Sequence, residues 1–208
     1  MKKQSGKGIP IRERQTQMTR MAILESLAEI MVEEGPLGFT VQNVADRAGV
    51  SHRTVYRHFP NREAMCEGVI EWSEQQQNGK EQGRGALPTT PEGLLEIIPV
   101  MYEEMESERA LIQSLVLLNL STGFRAAAAR DRDRQIEEVV RKLAPSISPK
   151  ERAQSVVLIR YLASSLSWMS LTTQFNRSHQ EAAEIAAHGI HLALQDLKRR
   201  ERKAIRKT

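Results

Sequence analysis

Residues 39–62, FTVQNVADRAGVSHRTVYRHFPNR, decide the fold of this 208-residue chain. Gly49 and Val55 follow Ala45 by four and ten residues, a spacing typical of two short helices that cross steeply. The alanine allows close approach, the glycine permits the positive φ of a sharp turn, and the valine fills the wedge between the helices. The pattern predicts a helix-turn-helix.

Capping residues give the bounds of the two helices. Thr40 stands where a first helix over about 40–48 needs an N-cap, and Ser51 stands at the start of a second helix over about 51–59. Their hydroxyl oxygens are expected to accept hydrogen bonds from the free N–H groups of the first turns.

The second helix carries the candidate chemistry on its outer surface. At 100° per residue, Arg53 and Arg57 point away from a core side that contains Val55 and Phe59. The outward and flanking positions are basic, aromatic or polar, and comprise His52, Arg53, Thr54, Tyr56, Arg57 and His58. Because arginine donates to guanine edges and imidazole or hydroxyl groups donate to phosphates, this helix is predicted to read the DNA major groove.

Further anion contacts are expected at helix starts, where free N–H groups and the helix dipole attract phosphates. Thr40 and Arg62 occupy two such positions, and Asn61 can cap the helix that Arg62 opens. A flexible basic arm before the first helix is expected to reach the DNA backbone or minor groove through Arg12, Arg14 and Arg20.

Composition narrows the class of protein. Hydrophobic residues make up 40% of the chain and aromatic residues only 4%, which favours a helical protein with a sizeable core. The single cysteine, Cys66, excludes a disulfide scaffold. Neither a signal peptide nor a membrane-length apolar stretch is found, so a cytoplasmic protein without contact to a membrane is expected.

The net charge of +4 is unevenly distributed. Residues 1–20 hold six basic and one acidic residue, and residues 198–208 hold seven basic and one acidic residue. The interior is therefore acidic, apart from the basic segment 40–62. A polyanionic partner is predicted for the N-terminal part.

Hydrophobic periodicity and breaks divide the chain into three parts. Residues 1–17 are expected to form a disordered basic arm, 18–66 a three-helix DNA-binding head, and 67–208 a larger helical domain for ligand binding and dimerisation. Downstream helices are predicted over about 92–106, 108–120, 125–143, 150–174 and 179–203. The predicted fold class is all-α.

Residues 20–70 resemble the DNA-binding region of the TetR family of bacterial transcriptional regulators (tetracycline-repressor-like). The most specific stretch is Val50 to Phe59, VSHRTVYRHF. Family members usually carry a small residue near position 53 and lysine at position 62, whereas both are arginine here. The resemblance covers about a quarter of the chain well, and the rest matches in architecture only.

The resemblance implies a homodimer whose C-terminal domain holds a ligand pocket and which, in most cases, represses transcription. It also implies roles for the residues that match the family motif. Phosphate contacts would come from Thr40, Ser51, His52, Tyr56, His58 and Arg62. Base readers would be Arg53, Thr54 and Arg57.

The last two predicted helices, 150–174 and 179–203, are candidates for a dimer interface. The first is apolar on nearly all sides, and the second repeats small residues that allow close helix packing, so two copies would make a four-helix interface. An intrachain core is the alternative. His188 and His191 lie three residues apart, but interface histidines are commoner than such a metal site, and no metal or cofactor is predicted.

A small-molecule effector is expected to bind in the C-terminal domain. The larger side chains there are candidates for an apolar cavity, although each is also explained as ordinary core. They are Trp72, Met101, Tyr102, Met105, Phe124, Trp168, Met169 and Phe175.

Three functions are compared. The leading prediction is a ligand-released, homodimeric repressor that binds a palindromic operator in double-stranded DNA. The second is a sequence-indifferent, nucleoid-type DNA binder that uses its basic tails. An enzyme is not expected, because no Gly-rich phosphate loop, metal triad or nucleophile elbow is found.

Overall fold

The computed structural model describes residues 10–79, 87–123 and 127–206, and within these ranges all regular secondary structure is helical. The predicted all-α class is therefore confirmed. The chain divides into two compact units, here called the head, which ends at Trp72, and the body, which begins at Ser73. Each described helix is too short or too polar to cross a membrane.

Four helices begin in the head. They are α1 (Ile11–Glu34), α2 (Val41–Arg47), α3 (His52–His58) and α4 (Arg62–Gly79). Their apolar sides meet in one core, in which the fully buried side chains include Ile23, Leu27, Ile30, Met31, Phe39, Val44, Val55, Phe59, Met65 and Val69. The head thus holds the three predicted helices together with the start of α4.

Local hydrogen bonds explain the helix-turn-helix. Thr40 Oγ1 accepts from the Asn43 backbone N at 3.1 Å, while Asn43 Oδ1 accepts from the Thr40 backbone N at 2.7 Å. Gly49 adopts a φ of 64°, and Ser51 Oγ accepts from the Thr54 backbone N at 3.1 Å. The predicted caps and turn are confirmed, and the helix bounds move by only one residue at each end.

The structure places the start of α1 at Ile11, within the segment 1–17 that was expected to be a disordered arm. The Pro10 carbonyl accepts from the backbone N of Glu13 and Arg14 at 3.0 and 3.1 Å. An apolar stripe is not needed when helix-forming residues extend a helix that is already packed downstream. The remainder of the arm, residues 1–9, lies outside the described residues.

The head extends further along the chain than the predicted boundary at residue 66, because α4 packs into it for two turns. A Cβ added to Gly68 would lie 2.6 Å from Phe59 Cε1 and 3.3 Å from Leu24 Cδ2. Glycine at this position therefore lets α4 approach α1 closely.

The body contains the remaining helices. They are α5 (Pro91–Ser107), α6 (Arg109–Thr122), α7 (Ala127–Leu143), α8 (Pro149–Leu162), α9 (Ser165–Met169) and α10 (His179–Ile205), with a π-helical turn at Ser170–Gln174. Tyr102 and Trp168 are the largest side chains of its buried core.

The predicted single helix over 150–174 is wrong, because it breaks at Ala163. Ser164 caps a new helix by accepting from the Ser167 backbone N at 3.2 Å. The carbonyls left free at the end of α8 find side-chain donors: Tyr102 Oη donates to Leu162 O at 2.8 Å, and Arg160 Nη1 donates to Ala163 O at 3.0 Å. The Tyr102 donor comes from a distant helix, so the break depends on tertiary structure.

A Tyr102→Phe variant tests this support of the break. Removing the hydroxyl leaves the Leu162 carbonyl without that donor in a buried site, which should lower the free energy of unfolding by about 1–3 kcal/mol. Urea unfolding measures the change. Tyr56→Phe is the matched control, since Tyr56 is exposed on α3, away from the body, and should change stability little. Equal effects of the two variants would contradict the role given to Tyr102.

The C-terminal part of α10 is fastened to α8 by charges. Arg200 Nη1 lies 3.2 Å from Glu151 Oε1, and Arg200 Nε donates to Asp196 Oδ2 at 2.5 Å. Hydrogen bonds from Ser148, and then from Arg200, hold the pKa of Glu151 below its ordinary value. Those from Arg199 and Arg200 similarly lower the pKa of Asp196.

These lowered pKa values predict acid sensitivity. A carboxyl group whose pKa is lower in the folded state stabilises the fold above its unfolded pKa, and that contribution is lost as the pH falls through the folded value. The thermal midpoint should therefore fall as the pH drops below about 4, the ordinary range of carboxyl groups. Glu151→Gln should flatten this fall, whereas Glu137→Gln, at an exposed position of α7, should not.

Candidate nucleic-acid interface

The outer surface of α3 is exposed and basic, as predicted. The side chains of Arg53 and Arg57 are exposed, and among the described residues neither guanidinium forms a hydrogen bond or an ion pair. No acidic residue occurs between Asp46 and Glu63. The two cations are thus available to an external anion or base edge, and no neighbouring carboxylate along the chain competes for them.

His52 and Tyr56 form the aromatic side of this surface. Their rings meet edge to face, with centroids 5.3 Å apart and planes 85° apart, and Tyr56 is 48% exposed. This contact holds the tyrosine in place beside the arginines. Both residues are positioned to meet a ligand that approaches α3 from outside.

The predicted hydroxyl contacts already have partners in the head. Thr54 Oγ1 lies 2.8 Å from Ser51 Oγ, which also caps α3. Thr40 Oγ1 accepts from Asn43 N and lies 3.0 Å from Asn43 Oδ1, to which it donates. These hydroxyls primarily fix the two helices, and any contact they make with a phosphate must share or replace those bonds.

The structure does not support the predicted phosphate contact of His58. The side chain is half-buried, its Nε2 is shielded from solvent, and that atom has no hydrogen-bond partner among the described residues. Burial, followed by the positive charges of Arg57 and Arg20, lowers the pKa of His58 below its ordinary value. A neutral, inward imidazole is a poor ligand for phosphate.

Arg20 and Arg62 serve the head itself. Arg20, expected in a flexible arm, lies in α1 with its guanidinium carbon 4.3 Å from the centre of the Phe59 ring, and it donates to His58 O at 3.4 Å. Arg62, expected on phosphate, donates to Leu37 O and lies 4.3 Å from the Phe39 ring centre. Both guanidinium groups join segments that are distant in sequence. The predicted Asn61 cap is confirmed, because Asn61 Oδ1 accepts from Ala64 N at 2.8 Å.

Five of the predicted ligand-binding residues belong to the body core. Tyr102 and Trp168 are buried, and the partly buried Met101, Met105 and Met169 pack against the same cluster. Burial raises the pKa of Tyr102 to about 12, so its hydroxyl stays protonated and donates to Leu162. Arg109 lies 5.3 Å from the Trp168 ring centre.

The other three predicted ligand residues are not in that cluster. Phe175 is 60% exposed, because it follows the π-helical turn and points away from the core. Trp72 belongs to the head. Phe124 lies outside the described residues.

The last helices expose an apolar surface, here called the α8–α10 face. On α8 it consists of Val157, Leu158 and Tyr161, and on α10 of Ile185 and Leu192. The two helices pack closely, since a Cβ added to Gly189 would lie 2.9 Å from Leu162 Cδ1. His188 lies on the exposed side of α10, and the described residues contain no group of three or more His, Cys, Asp or Glu residues suited to a metal.

Comparison with known proteins identifies the head. Residues 23–69 match the family model described as bacterial regulatory proteins, tetR family. Nucleoid occlusion factor SlmA of Aliivibrio fischeri is 42% identical over 57 residues, which are 27% of this chain and 29% of that protein. The uncharacterized HTH-type transcriptional regulator YvkB of Bacillus subtilis is 28% identical over 100 residues, or 46% of this chain and 49% of that protein. The chain thus spans less than half the length of these relatives.

The fold likeness extends over most of the chain. A tetR-family transcriptional regulator from Streptomyces coelicolor superposes with a TM-score of 0.64 at 13% identity, covering 90% of both chains. At such low identity the likeness concerns the fold alone. The shared fold consists of an N-terminal helix-turn-helix head and a larger helical body, as the sequence predicts.

Proposed function

The chain belongs to the TetR family of bacterial regulatory proteins, and from this premise we propose that it is a sequence-specific, DNA-binding transcriptional regulator. The observation that carries the proposal is the outer surface of α3. A short helix held by two caps and a glycine turn presents free arginines, a tyrosine and a histidine to the outside. Such a helix fits the major groove, where arginine donates two hydrogen bonds to a guanine edge.

The α8–α10 face supports a homodimer as the DNA-binding form. Its exposed valine, leucines, isoleucine and tyrosine form a stripe on two adjacent helices, and a second copy would cover that stripe in a four-helix interface. A twofold dimer carries two copies of α3, which must lie about 34–36 Å apart to read two half-sites one helical turn apart. A palindromic operator follows from that symmetry.

Control by a small-molecule effector is the further part of this proposal. The buried and half-buried aromatic and methionine side chains around Tyr102 and Trp168 are the candidate binding region. Because α4 runs without a break from head residues into body residues, it is the candidate for transmitting the effect. An effector that favours a state unable to match the operator spacing would release DNA, and such coupling is typically about 1–3 kcal/mol. This describes a repressor that acts by binding and not by catalysis.

A selection from a random DNA pool tests the proposal. Full-length protein is incubated with duplexes at near-physiological salt, and the bound fraction is amplified and sequenced. Enrichment of a palindrome whose half-sites are one helical turn apart is the expected result. Binding without enrichment would contradict sequence-specific recognition and favour the electrostatic alternative.

That alternative is a sequence-indifferent, nucleoid-type binder, suggested by the basic tails. It predicts binding that survives Arg53→Ala but is lost when the lysines and arginines of residues 1–18 and 198–208 are replaced by glutamine. Part of the C-terminal charge is already neutralised, since Arg199 pairs with Asp196, and Arg200 pairs with Asp196 and Glu151. This favours the sequence-specific proposal over the electrostatic one.

A further inference from the structure

An open cleft lies between the first turns of α1 and the recognition helix α3. It has a volume of about 740 Å³, is largely open to solvent, and is lined by Arg12, Gln15, Thr16, Met18 and Thr19 from α1 and by Arg57 from α3. The cleft exists only because α1 starts at Ile11, since a disordered arm would leave this side of α3 uncovered.

The cleft is positively charged. None of its lining residues is acidic, and among the described residues the guanidinium groups of Arg12 and Arg57 form no ion pair or hydrogen bond. Arg20, about two turns after Arg12 in α1, differs in being held by the Phe59 ring and the His58 carbonyl. The two lining arginines therefore remain free for an external anion.

The remaining lining groups indicate what kind of anion fits. The hydroxyls of Thr16 and Thr19 donate to the carbonyls of Arg12 and Gln15, each at 2.9 Å, so they hold the helix and can still accept hydrogen bonds. Met18 is 70% exposed and offers an apolar surface beside the cations. An open cleft of this size admits a phosphate together with its sugars.

We propose that this cleft binds a phosphodiester segment of the DNA backbone beside the base pairs that α3 reads. Arg12 and Arg57 hold the phosphate from two helices, and Met18 contacts the deoxyribose. The inference rests on the proposed function, and it changes the expected role of Arg57 from base reader to backbone clamp. Arg53 then remains the arginine of α3 that reads a base.

The test measures binding of Arg12→Ala to the selected operator and to an unrelated duplex of equal length, each over a range of salt concentrations. Losing a charge-assisted phosphate contact should weaken both complexes by the same factor of about ten. The slope of log K against log salt should become shallower by about one. Arg57→Ala should do the same, and the double variant should lose less than the product of the two single effects, because both side chains hold one phosphate.

Arg14→Ala is the matched control, since it removes the same charge from the same turn of α1 outside the cleft. It should weaken binding less than about threefold, the size of a screened, long-range effect. Arg12→Lys should recover part of the loss by keeping the charge. Alanine preserves the helix, which circular dichroism verifies for each variant.

Ethylation of individual operator phosphates provides a direct map. Ethylation of one phosphate beside each half-site should weaken binding of the unaltered protein more than it weakens binding of Arg12→Ala. Equal losses for Arg12→Ala and Arg14→Ala, with specific operator binding intact, would overturn the cleft proposal alone. If Arg12→Ala or Arg57→Ala changed the ratio of the affinity for the operator to the affinity for the unrelated duplex, that residue would be a base reader. This result would also overturn the cleft proposal. Absence of sequence-specific binding by the unaltered protein would overturn the proposed function instead.

Discussion

A Leu192→Glu variant is expected to lose more than about 100-fold in operator affinity, although it changes a residue of the body and not the head. Leu192 is 51% exposed in the single chain and lies on the α8–α10 face. In the proposed homodimer this face is covered, so each new carboxylate would be buried without a partner, at a cost of several kcal/mol. A monomer binds only one half-site, and it therefore loses the additional affinity that a dimer gains by binding two half-sites at once.

Sedimentation equilibrium and gel-shift titration of the same samples measure this effect. Leu120→Glu is the matched control: it makes the same chemical change at a position 61% exposed in the body, on α6. It should leave both the dimer and operator binding unchanged. A dimeric Leu192→Glu protein with normal affinity would place the interface elsewhere.

An Arg53→Ala variant is expected to lose selectivity at one base pair of each half-site. Arg53 is exposed on α3 without a partner among the described residues, so its guanidinium is free to donate to a guanine. Loss of such a contact costs about 1–3 kcal/mol of discrimination per half-site. Binding is titrated with the operator and with duplexes altered at single positions. Arg53→Ala should bind the operator more weakly than the unaltered protein does, and this difference should vanish for the duplex in which the contacted guanine is replaced.

Arg47→Ala is the control for this prediction. Arg47 lies on α2, and its Nη2 donates to Glu33 Oε2 at 2.6 Å, so its charge joins α2 to α1. Its removal should lower the thermal midpoint of the head and leave base preference unchanged. If Arg53→Ala weakened every duplex equally, as Arg12→Ala is expected to do, α3 would not be the base-reading helix.

The helix-turn-helix was predictable because the interactions that define it are short. Thr40 and Asn43 form a reciprocal cap within three residues, Ser51 Oγ accepts from the Thr54 backbone N at the next helix, and Gly49 supplies the turn. Bonds over such distances depend on the identity of neighbouring residues, and the same residues therefore predicted the family.

The errors occurred where distant partners compete with local preference. The run 150–174 is helical by periodicity, yet it breaks at Ala163 because Tyr102, sixty residues earlier, supplies a donor to the Leu162 carbonyl. His58 fits the outward surface by helical rotation, but at the end of α3 it is half-buried near Arg20 of α1. Neither Tyr102 nor Arg20 could be identified as the distant partner from spacing alone.

The sequence by itself determined the all-α class, the two short helices, their caps and the basic character of the surface around α3. Tertiary structure decided which arginines are free. Arg20 and Arg62 are held by carbonyls 38 and 25 residues away, whereas Arg53, and Arg57 beside the first turns of α1, are not. The physical reason is the long arginine side chain, whose guanidinium group finds its partner through space, so that its availability depends on the packing of helices that are distant in sequence.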